Sequence, residues 1–275
     1  MKHVALIATL LAGTAATPQW LTLPPTPTLP PATRSGYVPV NGVSIWYATF
    51  GSGAPVVLLH GGLGNANYWG LQIRALQSHY RVIVLDSRCH GRSTCSPQQI
   101  GYDVMASDVV GVLDSLHVRK AAIVGWSDGA IIGLDLAIHH PARVARLFAF
   151  AANSDPSAVM DLSTSPVFTD FERRAGREYA QLSPTPQNYA TFLKNINHMW
   201  DTQPHFTAAQ LGGITALTWV ADADHEEAIK RENTDYMAAQ IPGAGEIILP
   251  RVSHFAFLQD AATFDAAVLR FLAQP

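Results

Sequence analysis

Along most of the chain, short apolar runs alternate with longer stretches whose apolar positions recur every three or four residues. A short apolar run bounded by turn formers suits a buried strand, and the wider spacing suits a helix with one buried face. By these rules residues 55–60, 81–86, 121–126 and 144–152 are strands. Residues 37–40 and 43–49 flank Asn41-Gly42, a two-residue hairpin signal. Helices are expected over about 68–78, over 103–116, where Val104, Val109, Val112, Leu113 and Leu116 share one side, and over 128–140, which Pro141 stops. The alternation lapses between about 153 and 213. There Phe168, Phe171, Ala175, Tyr179 and Leu182 form one helical stripe, and Tyr189, Leu193, Ile196 and Trp200 a second. Strands over 214–221 and 246–249 and a helix over about 254–272 complete the series. The expected fold class is α/β: an eight-stranded, mostly parallel sheet with helices on both faces. The insertion at about 153–213 would form a small helical lid over the carboxyl edge of the sheet, where open α/β sheets bind ligands.

The first residues follow a different rule. Lys2 and His3 precede an apolar run over 4–12, and Thr14-Ala15-Ala16 offers a small-residue cleavage site, so 1–16 reads as a signal peptide. Pro18, Pro24, Pro25, Pro27, Pro30 and Pro31 alternate with threonine, which makes 17–36 an expected extended linker outside the core. The domain itself would span 37–272. No later segment is apolar for long enough to form a membrane helix. The expectation is a secreted or periplasmic protein without a permanent membrane anchor. Composition changes little, with 48% hydrophobic residues, 14% charged and a formal net charge of −3. That charge, and the lack of RNP, zinc-finger or basic-helix patterns, excludes nucleic acid as an expected partner. Cys89 and Cys95 share one short loop and read as two independent thiols, with a bridge as the alternative that export permits.

Chemistry concentrates at Gly125-Trp126-Ser127-Asp128-Gly129, a G-x-S-x-G between an expected strand and an expected helix. Small neighbours let the backbone turn sharply, so the serine hydroxyl stands at a helix N-terminus that favours negative charge. A serine becomes nucleophilic only when a base removes its proton and a third group orients that base. In this architecture the acid follows a later strand and the histidine follows the last strand. Asp224, a few residues beyond the 214–221 strand, is the expected acid, with Asp222 as a turn residue. His254, after the 246–249 strand, is the expected base. The oxyanion donors should be the Asp128 N–H and an N–H from His60-Gly61-Gly62-Leu63-Gly64, with Leu63 first and Gly62 as the alternate. His-Glu-x-x-His is absent and two cysteines cannot build a cysteine zinc site, so neither a metal nor a cofactor is expected.

Together the glycine turn at His60, the loop Asp86-Ser87-Arg88-Cys89-His90-Gly91-Arg92-Ser93, the elbow, Asp224 and His254 resemble the α/β-hydrolase superfamily. The elbow wording looks like that of biphenyl-hydrolase-like, valacyclovir-hydrolase-type serine esterases. That resemblance implies hydrolysis of a small-molecule carboxylic ester through an acyl-enzyme, with esters bearing an α-amino group as one substrate class. Cys89, Ala221 and Ser253 stand where such proteins commonly have glycine, and Ala130 interrupts a common glycine pair. Asp128 could hold a substrate ammonium, or it could serve structure by stabilising the helix N-terminus or pairing with Arg88 or Arg92. Gly62, Trp200 and Met199 are candidate pocket residues, while Trp126 and Phe255 are expected to pack. A lactonase, a cofactor-free haloperoxidase or a non-turnover ligand sensor would use the same constellation. Activity is expected to fall as His254 protonates, near its ordinary pKa of about 6.5.

Overall fold

The computed structural model describes residues 17–96 and 100–274, so the expected signal peptide lies outside the described residues. Eight strands, β1 (Arg34–Val40), β2 (Val43–Phe50), β3 (Ala54–Leu59), β4 (Tyr80–Leu85), β5 (Ala121–Trp126), β6 (Val144–Phe150), β7 (Leu217–Ala223) and β8 (Gly245–Leu249), form one sheet in the order β1-β2-β4-β3-β5-β6-β7-β8. β1 and β2 pair antiparallel, as do β2 and β4, and every other pair is parallel. Asn41 and Gly42 turn the β1–β2 hairpin with φ of 45° and 76°, the positive angles that a tight hairpin turn needs at both central positions.

The central strands are apolar throughout because both faces are covered. All six residues of β5 are buried. Successive side chains of β6 point to opposite faces. Leu147 lies beside Gly133 of α3 (Asp128–His139), whereas Phe148 packs on Phe264 and Phe271 of α9 (Ala261–Leu272). α3 is backed by α2 (Tyr102–Ser115), and α9 by α1 (Gly70–Leu76). Each fully buried large side chain contributes about 1.5–3 kcal/mol, so this two-sided core holds the loops at the carboxyl edge on a rigid base.

Between β6 and β7 the chain leaves the sheet for α4 (Pro166–Leu182), α5 (Tyr189–Thr202) and the short α6 (Ala208–Gly212). Phe168, Phe171, Ala175 and Tyr179 form the buried stripe of α4. On α5 the buried residues are Phe192, Ile196 and Met199, so the stripe is turned relative to the expected one. Four further differences have local causes. β7 begins at Leu217 because the buried Ile214 closes the turn after α6, its N–H bonding to Leu211 O. α7 (Arg231–Gln240) was not legible, since it buries only Thr234 and Met237 and shows no apolar stripe. The terminal helix is divided into α8 (Ala256–Gln259) and α9 at Asp260, whose side chain caps Thr263 N–H at 3.1 Å. Cys89 and Cys95 form a disulfide rather than two free thiols.

The proline-rich segment is extended, but it is a strap fastened to the domain rather than a free linker. Arg174 of α4 donates to the carbonyls of Leu23, at 2.8 Å, and Pro24. Thr26 donates to Glu178 of the same helix. Trp20 stacks on His225 with ring centroids 3.9 Å apart, and Gln259 of α8 donates to Thr22 O at 2.9 Å. Proline suits this role because it holds the backbone extended and leaves carbonyls free to accept.

Candidate active site

β5 turns into α3 at Ser127, whose φ of 54° and ψ of −123° lie outside the regions a side chain favours. Such a backbone is strained by about 1–3 kcal/mol and persists only where its surroundings hold it. Here Ser127 N–H bonds to Phe150 O at 2.9 Å, and Ala130 N–H bonds to Ser127 O at 2.8 Å. Gly129 permits the turn because a Cβ there would overlap the Leu59 carbonyl. β3 is the neighbour of β5, with Leu59 opposite Gly125, so the loop after β3 lies beside the elbow. Leu63 in that loop has φ of 60°. Among the described residues, neither the Leu63 N–H nor the Asp128 N–H has a protein acceptor. Burial lowers the pKa of His60 and keeps the ring neutral. Its Nε2 accepts from Ser87 N–H at 3.0 Å, so Nδ1 donates to Gly61 O at 2.8 Å and the ring pins the loop.

His254 follows β8 and is buried against Trp126, Phe168 and Phe255. The carboxylate beside it belongs to Glu226, not to Asp224. His254 Nδ1–H meets Glu226 Oε1 at 2.7 Å, and both side chains are buried. The same oxygen accepts the N–H of Ala228 at 2.7 Å and of Ile229 at 3.2 Å, which fixes it in the turn after β7. Asp224 is exposed and occupied elsewhere. Its N–H bonds to Leu249 O and its carboxylate accepts Val252 N–H at 3.3 Å, so it braces the ends of β7 and β8. Asp222 is buried and accepts from Thr234 Oγ1 at 2.7 Å. Burial, then the charge of Glu226, pushes the Asp222 pKa up to about 7. Glu227 stands behind the ring, accepting His254 N–H at 3.2 Å, and burial, then Glu226, raises it to about 7. For His254, burial alone would lower the pKa, but Glu226, Glu227 and Asp222 reverse this and raise it.

Asp128 is buried, and its carboxylate is filled by neutral donors. Tyr102 Oη donates to Oδ1 at 2.9 Å, and Trp200 Nε1 reaches both oxygens at 3.0 Å. Burial pushes its pKa up to about 6 against the pull of these donors and of His254. Neither arginine considered as its partner is there: Arg88 pairs with Asp108 at 2.6 Å, and Arg92 with Asp86 at 3.0 Å. Asp128 therefore ties α2 and the elbow to α5.

Ser127 and His254 open into one pocket, with Gly62, Leu63, Asp128 and Trp200 around the serine and Val159, Leu162, Phe168, Phe171 and Ile229 as apolar walls. The pocket is a tight slot of about 60 Å³. A Cβ on Gly62 would stand 2.5 Å from both Asp128 Oδ2 and Trp200 Cζ2, so that wall tolerates no side chain. Met199 is buried and does not line the slot; Trp126 and Phe255 pack as expected, and Trp126 also contributes wall. Among the described residues no group of three or more His, Cys, Asp or Glu side chains is placed to hold a metal ion.

Residues 54–191, half of the chain, match the family described by the alpha/beta hydrolase fold. The chain belongs to that family. A putative carbamate hydrolase RutD from Variovorax paradoxus is 29% identical over 247 residues, covering 79% of this chain and 91% of that one. An N-acyl homoserine lactone degrading enzyme of solved structure superposes with a TM-score of 0.71 at 25% identity, over 86% of this chain and 100% of that one. A meta-cleavage product hydrolase from Pseudomonas fluorescens superposes with a TM-score of 0.77 at 21% identity, over 88% and 97%.

Within this α/β hydrolase the sequence reading missed Glu226, Glu227 and Tyr102. Asp224, Glu226 and Glu227 offer three carboxylates within four positions, and only the path of the turn decides which reaches the ring. That path has no periodic signal. Tyr102 begins α2 where the helical pattern was read from Asp103, and its hydroxyl role depends on a helix-to-helix approach that spacing does not encode.

Proposed function

We propose that this α/β hydrolase cleaves small neutral carboxylic esters, lactones included, through an acyl-enzyme on Ser127. The observation that carries the reading is the buried His254–Glu226 pair, 2.7 Å apart, whose histidine lines the same slot as a serine on a strained elbow. Ser127 Oγ attacks the carbonyl carbon while His254 Nε2 takes its proton. Glu226 holds Nδ1–H, fixing the ring and stabilising the imidazolium. The Leu63 and Asp128 N–H groups receive the oxyanion, each donor contributing about 3 kcal/mol to the transition state. His254 then protonates the leaving alcohol, and water activated by the same ring releases the acid. In the described structure no hydrogen bond joins Ser127 to His254, a contact that often tightens only with substrate bound.

Val159, Leu162, Phe168, Phe171 and Ile229 support an apolar acyl group, with Asn153 and Glu172 as the polar part of the lining. The filled carboxylate of Asp128 supports neutral esters over those bearing an α-amino group, since the ammonium would have to displace Trp200 or Tyr102. The relatives named above make carbamates and acyl lactones natural members of a substrate panel. The test is multiple-turnover assay of esters, lactones and carbamates, with Ser127→Ala as control and fluorophosphonate labelling in parallel. Turnover of neutral esters that Ser127→Ala abolishes is expected. Labelling without turnover would instead make the protein a sensor, and no labelling would overturn the nucleophile. Export to a secreted or periplasmic location belongs to the same proposal, supported by the leader pattern and the Cys89–Cys95 bridge. No described helix is long and apolar enough to cross a membrane.

A further inference from the structure

The loop that carries His254 is tied to the proline-rich strap through one glutamine. Gln259 Oε1 accepts Ser253 N–H at 2.7 Å, while Gln259 Nε2 donates to Ser253 Oγ at 2.9 Å and to Thr22 O at 2.9 Å. Ser253 Oγ in turn donates to Glu227 Oε1 at 3.1 Å, and Glu227 Oε2 accepts the N–H of His254 at 3.2 Å. The amide of Gln259 thus grips both the N–H and the hydroxyl of the residue just before the base, and spends its other proton on the strap. Ser253 is fully buried, so each of these groups would be left unsatisfied if its partner were lost. The strap closes the circuit from the other side. Gln19 donates to Gln259 O, and Trp20 lies flat on His225, with an interplanar angle of 6°, immediately before Glu226.

We propose that Gln259, Ser253 and Glu227 are positioning residues for His254, and that the strap around Trp20 and Thr22 is the outer anchor of this network. The proposal rests on the His254–Glu226 pair of the proposed mechanism. The loops bearing acid and base leave the sheet at different strands, and only their relative placement keeps Nδ1–H on Glu226 and Nε2 toward Ser127. Ser253 at a position where glycine would carry no hydroxyl, and a glutamine long enough to reach both Ser253 and Thr22, give this chain a fastening that the triad residues alone do not supply.

The experiment follows two readouts in the full chain: kcat and KM on the best ester, and the proton NMR signal of His254 Nδ1–H, which is independent of turnover. Gln259→Ala and Ser253→Ala are expected to lower kcat about tenfold with KM within about twofold, and to broaden the Nδ1–H signal by letting the ring wander. Ser253→Thr, which keeps the hydroxyl, should restore both, and Glu227→Gln should shift the acid limb of the pH profile downward. Trp20→Ala should act in the same direction as Gln259→Ala, and the double variant should fall no further than Gln259→Ala alone. Arg146→Ala, which breaks the tie from β6 to the carbonyls of Phe271 and Leu272 at the end of α9, controls for general loosening. An unchanged Nδ1–H signal and kcat in Gln259→Ala would overturn the proposal, as would an equal effect of Arg146→Ala at equal loss of Tm. Additive losses in the double variant would remove the strap from the network. If the wild-type protein turned over no ester, the proposed function would fall, while the Nδ1–H comparison would still decide the positioning role.

Discussion

At the scale of single residues, two carboxylates divide the roles that one was expected to fill. Glu226 touches the imidazole, and Asp224, two positions earlier, holds the backbone of Val252. Removing the orienting acid of a triad leaves the wrong tautomer and costs orders of magnitude. Glu226→Gln should therefore lower kcat about a thousandfold or more, while Asp224→Asn should stay within about tenfold; steady-state kinetics on one ester separates the two. In the proposed mechanism the pH response follows His254, whose pKa the neighbouring Glu226 raises. The base must be neutral, so the acid limb of kcat/KM should lie above the ordinary histidine value of about 6.5. The sign for stability is opposite. The contribution from His254 is fully present below its unfolded pKa and is lost as pH rises through the folded one, so activity grows over the window in which this contribution disappears. A pH series of kcat/KM and of Tm checks both. Asp128→Asn should leave the preference between amino-acid esters and matched neutral esters unchanged, because the native carboxylate is already occupied.

At the scale of elements, legibility followed burial. β5 and the start of α3 could be placed from sequence because an unbroken apolar run must be a strand between two covered faces and glycines flank the serine. α7 could not, because a helix that rests on the sheet through Thr234 and Met237 leaves no apolar stripe. The lid helices were visible as stripes, yet the tie that matters at the site is polar. Trp200 of α5 hydrogen-bonds Asp128, the residue after Ser127. Trp200→Phe keeps most of the apolar bulk but leaves Asp128 with Tyr102 alone, which should cost about 1–3 kcal/mol of stability and raise KM as the wall of the slot loosens. Thermal unfolding and KM measured together test this.

At the scale of the whole molecule, the order of strands explains why Ser127 and the loop after β3 meet, since β3 and β5 are neighbours although β4 separates them in the chain. That much follows from patterning and the right-handed crossover of parallel strands. The side chain that faces His254 and the docking of the strap do not, because both depend on turns without periodicity. The Cys89–Cys95 bridge closes a loop of six residues, so Cys89→Ser should lower stability by about 2 kcal/mol, read as a fall in Tm that reductant reproduces in the wild-type protein.

The strap also imposes an order of assembly. Its residues are the first of the described chain to be synthesised, but their partners Arg174, His225 and Gln259 come far later; Thr22 and Gln259 are 237 positions apart. The strap can first hold α4, through Arg174 and Glu178, while Gln259 is still unmade. Its fastening of the histidine loop therefore comes last, once α8 exists.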